Sequence, residues 1–332
     1  MKVLVTMKKG PVRDGFISAD NVKLLRENFD VVFNETREEM TEEGLSAALR
    51  DGYDAVLTGW GSPFIGDAGG LRLIAHTGGS VGDIVDERTY GSGVKVISAN
   101  RIYAESTAEG VLAYILSALR NIPRETSLMR ESYYWKEDGL LDSVGLIGKT
   151  VGVIGVGSVA KNLIRLLTPF RVKLLLYDDY EIDTRSLGPV EAEQTTLGRV
   201  LSESDVVTVH AALTDKTRGM IGKEEFSQIR DGALFVNASR GPIIDEQALI
   251  ESLKAGRFRA FLDVYEREPL PAESELRRLP NVLLMPHRAG PANDLYPAIG
   301  REIILDMIRF RDGEELKYEI RRDDALRMTR NR

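Results

Sequence analysis

The chain has 332 residues, 43% hydrophobic and 29% charged, with a net charge of −7. It contains no Cys, which removes disulfides, thiolate nucleophiles, iron–sulfur clusters and Cys-based zinc sites together. No apolar run approaches the roughly 20 residues of a membrane span and no Lys/Arg stripe suits nucleic acid, so a soluble cytoplasmic protein is the expectation.

The length predicts two domains. In chain order, MKVLVTM, DVVFN, YDAVLTG, LRLIAHTG and VKVISAN read as strands, with helical stretches such as NVKLLRENF and EGLSAALRDG between them. That alternation predicts an α/β unit of about five parallel strands over the first hundred residues. In ESTAEGVLAYILSALRNI, residues Ala108, Val111, Leu112, Ile115, Ala118 and Leu119 recur at helical spacing, which predicts a long buried helix. A second alternation runs through TVGVIG, VKLLLYD, SDVVTVH, GALFVNA, FRAFLDV and NVLLMPH. Six strands separated by helices fit a doubly wound dinucleotide-binding domain. One of those helices is capped by Asp245, carries a stripe of Ala248, Leu249 and Leu253, and ends at Gly256. The last helix, LYPAIGREIILDMIRFRDG, is placed to return to the first unit. The tail from Arg311 to Arg332 mixes both signs of charge and reads as a solvated terminal segment.

The most specific local signal is VGVIGVGSVAKNLIRLL, residues 151–167. Gly155 permits a tight turn after a strand, Gly157 lets backbone approach a pyrophosphate, and Ala160 supplies the small residue that helix–strand packing needs. The free N–H groups of the helix start, at Ser158 and Val159, then face phosphates. The next strand ends at Asp178, 23 residues after Gly155. An acid there binds both ribose hydroxyls and repels a 2′-phosphate, so NAD is favoured over NADP; Asp179 adds to that preference. The alternative is a glycine turn in a domain that binds no nucleotide.

The ends of the last three strands carry charge. NASRGP gives Arg240, whose planar guanidinium suits a carboxylate or α-keto acid. LDVYEREP gives Asp263 and Glu268, and LLMPHRAG gives His287 directly after a proline that stops the ladder. A carboxylate beside the imidazole would fix its tautomer and support its protonated form, making it a proton donor to a carbonyl oxygen. Each residue alone reads as a surface charge or, for His287, a strand-end histidine bonded to a neighbour. Four at consecutive strand ends behind a nucleotide turn point to catalysis.

Read together, GVGSVA, YDD, VTVHAALTDKTRGMIG, LFVNASRGPIIDEQAL, LDVYEREP and MPHRAG resemble the D-isomer-specific 2-hydroxyacid dehydrogenase family, densely over about residues 100–290 and in general layout before that. The resemblance implies an α/β fold of two doubly wound domains with a cleft between them. A flavodoxin-like substrate domain would comprise residues 1–100 plus 291–332, and a Rossmann NAD-binding domain residues 101–290. It implies NAD-dependent interconversion of a D-2-hydroxy acid and its 2-keto acid, with Arg240, Glu268 and His287 in the catalytic roles. Asp263 matches the acid that contacts the nicotinamide carboxamide. His210 and Thr217 match positions lining the cofactor cleft, joined by Ala238 beside Arg240. A homodimer packed through the NAD-binding domain, involving the helix near 103–120, is also implied.

Departures from the family pattern bear on substrate. The first-domain loop reads HTGGSVGDIV, and its N–H groups at Gly79, Ser80 and Val81 form a nest suited to a substrate carboxylate. Ala212 replaces a usual proline. Arg288 offers a second positive charge for a phosphate or second carboxylate, or else pairs with a neighbouring acid. Trp60 either reaches the cleft or packs beneath the loop. The three histidines, His76, His210 and His287, are scattered and make no recognisable metal site. Two rival readings are an NAD(H)-sensing, corepressor-like binding protein and a Rossmann methyltransferase. Glyoxylate, hydroxypyruvate, pyruvate, branched keto acids and sugar-derived keto acids all stay open as substrates.

Overall fold

The apolar runs of the first hundred residues form five strands: β1 (Lys2–Val5), β2 (Asp30–Phe33), β3 (Ala55–Thr58), β4 (Leu73–His76) and β5 (Lys95–Ser98). The computed structural model describes residues 1–131, 135 and 143–330. The strands pair in parallel in the order β2-β1-β3-β4-β5, the flavodoxin-like order. They belong to a unit made of Met1–Ala104 and Pro291–Arg332. Alternate residues feed opposite faces, as a period of two requires. Val3, Val5, Leu57 and Ile97 lie in one core cluster, and Leu4, Val56, Ile74 and Val96 in another. The first cluster is closed by Phe16, Leu25 and the helix Tyr296–Asp312, which contributes Ile299, Ile303, Ile304 and Met307. Gly313, in the left-handed conformation at φ 75°, ends that helix.

The tail is packed, which corrects the expectation of a solvated segment. Glu319 makes an antiparallel bridge with Ile97, Ile320 N–H donates to the Val96 carbonyl, and Ser98 N–H donates to the Tyr318 carbonyl. Tyr318, Ile320 and Ala325 are buried, and the fully buried Asp306 accepts from the main chain of Lys317 and Tyr318. Two apolar residues at a spacing of two, Tyr318 and Ile320, were the signal, hidden among charges. An open sheet edge at β5 supplied the partner. Residues 331–332 lie outside the described residues.

His76, at the end of β4, is 3% exposed with its Nδ1 2.9 Å from the Thr58 hydroxyl. Burial pushes its pKa down to about 4. The unfolded chain therefore takes up this proton near pH 6.5 while the folded one resists until about pH 4. The stability this group contributes is complete above pH 6.5 and is lost as pH falls from there toward 4, by at most about 1.4 kcal/mol per pH unit. Urea unfolding of this protein should show a midpoint that drops over that window, and His76→Gln should make the drop shallower. An unchanged slope in the variant would show that His76 is not the buried neutral group.

Among the described residues of the second unit, Glu105–Gly290, seven strands form one sheet: β6 (Thr150–Ile154), β7 (Lys173–Tyr177), β8 (Glu191–Gln194), β9 (Val206–Val209), β10 (Leu234–Asn237), β11 (Arg259–Leu262) and β12 (Val282–Leu284). Their order is β12-β11-β10-β9-β6-β7-β8, all parallel. The order reverses between β6 and β9, the switch point where such sheets bind nucleotides. Sequence reading gave six strands; the seventh, β8, is the polar edge strand EAEQ, which has no apolar run to announce it. The helix Asn100–Leu119 is as long as expected and buries Ala108, Val111, Ile115, Ala118 and Leu119. Asp245 caps the helix Glu246–Lys254 by accepting from Ala248 N–H at 2.9 Å. Among the described residues, no helix is long and apolar enough to cross a membrane.

Candidate active site

β6 runs into Gly155, whose φ of +85° and position against Ala211 leave no room for a β-carbon. Gly155 N–H donates to the Tyr177 carbonyl and His210 N–H to that of Ile154, which ties the turn to β7 and β9. Gly157 then opens the helix Ser158–Leu167, which no side chain caps, and open space lies where its β-carbon would be. The uncapped N–H groups at Gly157, Ser158 and Val159 form a cradle for a phosphate. Ala160 is fully buried with Leu163, Ile164 and Leu167. At the end of β7, one oxygen of Asp178 accepts from Val156 N–H at 2.7 Å, which holds the carboxylate at the turn. Asp179 is exposed and accepts from the Tyr177 hydroxyl.

His210 sits below this turn with Nε2 3.0 Å from the Thr208 hydroxyl, and burial pushes its pKa down to about 4. It is neutral and engaged near neutral pH, in keeping with a lining role and not with acid–base chemistry. Thr217 donates its hydroxyl to the Ala212 carbonyl at 2.6 Å and accepts from Thr214 N–H, so it shapes the loop after β9.

Three loops at the carboxyl ends of β10, β11 and β12 bring Arg240, Glu268 and His287 into one constellation. The loop after β10 is stapled by the fully buried Asn237, which accepts from Ser239 N–H and donates to the Arg240 carbonyl. Ser239 donates to the Ala211 carbonyl at 2.6 Å, tying this loop, with Ala238, to the one after β9. Gly241 lies so close to the Tyr265 carbonyl that a β-carbon would collide with it. That approach sets the Arg240 loop against the loop carrying Glu268. One oxygen of Glu268 accepts from Tyr265 N–H at 3.1 Å, and the other lies 2.7 Å from His287 Nδ1. The carboxylate only accepts, so Nδ1 carries the hydrogen and Nε2 is left to face outward chemistry. Burial would raise the Glu268 pKa, but the bond from His287, its charge, the Tyr265 N–H and the Arg240 charge outweigh it and hold the carboxyl below its usual range. Glu268 is therefore ionised beside the imidazole.

Asp263, expected as a cofactor contact, lies directly after β11. It has no exposed surface, and both of its oxygens are taken by donors within the protein. Arg288 is exposed beside His287, and none of the ion pairs among the described residues involves its guanidinium. Sequence reading missed Asn237, Ser239, Tyr114 and Gly241; the glycine after Arg240 was the one signal of a close backbone approach.

In the first unit, no acceptor among the described residues takes the N–H groups of Gly79, Ser80 or Val81. The carbonyls of Gly78 and Gly79 both accept from the Ser98 hydroxyl below them, and Val81 buries its side chain completely. Ser80 donates to the Thr329 carbonyl, so the C-terminal segment braces this loop. Trp60 packs edge-on against Phe16, Tyr103 and Tyr296 and stays 43% exposed; Tyr103 in turn borders Gly79.

These features define a nucleotide-binding α/β protein with a charged constellation at its strand ends. Residues 112–289 match the family described as D-isomer specific 2-hydroxyacid dehydrogenase, NAD binding domain. The chain is 34% identical over 244 residues to D-3-phosphoglycerate dehydrogenase of Archaeoglobus fulgidus, covering 73% of this chain and 46% of that protein. It is 32% identical over 239 residues to hydroxypyruvate reductase of Thermotoga maritima, covering 70% and 76%. The apo-structure of D-lactate dehydrogenase from Escherichia coli is similar with a TM-score of 0.70 at 26% identity, covering 97% of this chain and 100% of that one. The chain thus spans about half the length of the first of these relatives. It belongs to the D-isomer specific 2-hydroxyacid dehydrogenase family, and NAD is its cofactor. The uncapped helix start, the open space at Gly157 and the acid held at the turn fit that dinucleotide.

Proposed function

We propose that this protein is an NAD-dependent 2-keto acid reductase, interconverting a D-2-hydroxy acid and its 2-keto acid. The carrying observation is the 2.7 Å bond between His287 Nδ1 and an ionised Glu268 that also feels the charge of Arg240. Bound NADH supplies the hydride. His287 gives its Nε2 proton to the substrate oxygen as negative charge develops there, and Glu268 supports the imidazolium that precedes the transfer. Arg240 binds the substrate carboxylate and polarises the carbonyl through its planar fork. The unengaged N–H groups of Gly79, Ser80 and Val81 suit a carboxylate as well. Arg288, exposed and outside any ion pair described, suits a second anionic group on a larger substrate. A homodimer would pack through the NAD-binding domain, involving the helix near 103–120, with Ile122, Met129 and Ile147 as exposed apolar residues of the same unit.

The test is NADH oxidation by the purified protein with glyoxylate, hydroxypyruvate, pyruvate and a phosphorylated 3-carbon keto acid, with NADPH in parallel. Turnover with NADH preferred is expected, and Asp178→Ser should narrow that preference by removing the charge that repels a 2′-phosphate. Tight NADH binding with no turnover of any member would remove the reductase reading.

A further inference from the structure

Trp60 stands in the turn after β3, where Gly59 N–H donates to the Ser62 hydroxyl at 3.0 Å and Gly61 takes φ +76°. The Ser62 hydroxyl lies 2.9 Å from that of Thr6, which fixes the turn to the end of β1. Three rings then hold the indole in edge-to-face contact: Phe16 at 5.4 Å, Tyr296 at 5.8 Å and Tyr103 at 6.0 Å between centroids. Phe16 is fully buried and stacks on Tyr296 at 4.5 Å. A β-carbon on Gly300 would collide with the Phe16 carbonyl, so this cage has little room to shift. Even so, 43% of Trp60 stays exposed. A lone exposed apolar residue on a mobile chain means little, but an indole immobilised on three sides is a preformed apolar wall.

The wall stands beside the nest. The Tyr103 ring that touches Trp60 also lies 3.4 Å from where a β-carbon on Gly79 would be. The indole is therefore one ring removed from the N–H groups of Gly79, Ser80 and Val81. Glu39 lies against Gly61 and pairs with Lys8 at 2.9 Å, so the ion pair described at this turn is closed on itself. What the turn presents is apolar surface.

We propose that Trp60 is a specificity-determining residue and that the keto acid of this site carries a planar aromatic side chain, as an arylpyruvate does. This rests on the reductase reading, with the substrate carboxylate in the nest. From that seat a hydrogen or methyl on the keto carbon ends short of the indole. An aryl ring one carbon further along passes the Tyr103 edge and meets it. A cluster of four rings already in edge-to-face order accepts another flat ring in the same geometry, which a branched aliphatic chain does not match.

The test compares phenylpyruvate, 2-ketoisovalerate and pyruvate at saturating NADH. Wild type should reduce phenylpyruvate with a kcat/KM at least tenfold above those of the other two. Trp60→Ala should lower the phenylpyruvate value by about tenfold or more, chiefly through KM, the scale of a hydrophobic contact of this size. Its pyruvate value should stay within about twofold, and Trp60→Phe should recover most of the loss. Equal loss on all three acids would overturn the proposal and leave Trp60 a loop-packing residue. A wild type that prefers pyruvate or 2-ketoisovalerate would overturn it as well.

A second readout needs no turnover. The chain has two tryptophans, Trp60 and Trp135, so Trp135→Phe leaves one indole to report. Phenyllactate should shift its emission to the blue as the ring excludes water, and lactate should not. An unmoved spectrum in a protein that does turn over keto acids would refute the aromatic site and spare the reductase reading. A blue shift with no turnover of any keto acid would do the reverse, removing the reductase and keeping an aromatic acid site at Trp60.

Discussion

His287→Ala is expected to lower kcat for keto-acid reduction by about 10²–10⁴-fold, the range that a positioned proton donor contributes, while NADH binding holds. The residues of the nucleotide turn make no bond to His287 among those described, so removing the imidazole leaves the turn and Asp178 as they are. Stopped-flow binding of NADH beside steady-state turnover separates the two quantities, and parallel loss of both would sink the assignment. Glu268→Gln should fall between wild type and His287→Ala, and its deficit should depend on pH. The Glu268 pKa is depressed, so its support of His287 is complete above the usual carboxylate range and disappears as pH falls through the lowered value. The gap between wild type and Glu268→Gln is therefore widest near neutrality and closes in acid. A gap that is constant with pH would mean that the carboxylate's charge is not what matters.

Arg240→Lys is expected to raise KM for the keto acid and cut kcat/KM by about 10²-fold, although the charge is conserved. A guanidinium donates two parallel hydrogen bonds to a carboxylate, and an ammonium is a point charge on a flexible stem. Arg240 already donates to the Ser239 carbonyl at 2.7 Å, a bond that orients the fork before substrate arrives. The loop itself should survive, because Asn237 binds the main chain of residues 239 and 240 and not the guanidinium. Steady-state kinetics on the purified variant, with circular dichroism to check the fold, decide the matter. Wild-type kcat/KM in Arg240→Lys would show that only the charge is used.

The legible part of this protein was whatever its neighbours along the chain determine. Strand cores such as Val206–Val209 and Leu234–Asn237 are buried on both faces, so they appear as continuous apolar runs that no other element explains as well. Gly155, Gly157, Ala160 and Asp178 were legible because a strand, a tight turn and a helix must follow each other at fixed spacing to hold a pyrophosphate. Arg240, Glu268 and His287 were legible as residues at strand ends, since the carboxyl edge of a parallel sheet is where such folds place chemistry.

What the sequence concealed was decided by partners far away in the chain. β8 pairs through its backbone, and a backbone hydrogen bond has no residue signature. The tail looks solvated until β5 offers Tyr318 and Ile320 an edge to join. Nothing beside Asp263 in the chain announces the three donors that its carboxylate meets. Only the folded chain shows that its two oxygens accept from the Tyr114 hydroxyl and from the main chain of Arg288 and Ala289. Local pattern reports what a residue must avoid, which is water or an unsatisfied turn. The choice of partner is fixed by which distant groups reach the same few ångströms, and folding alone supplies that information.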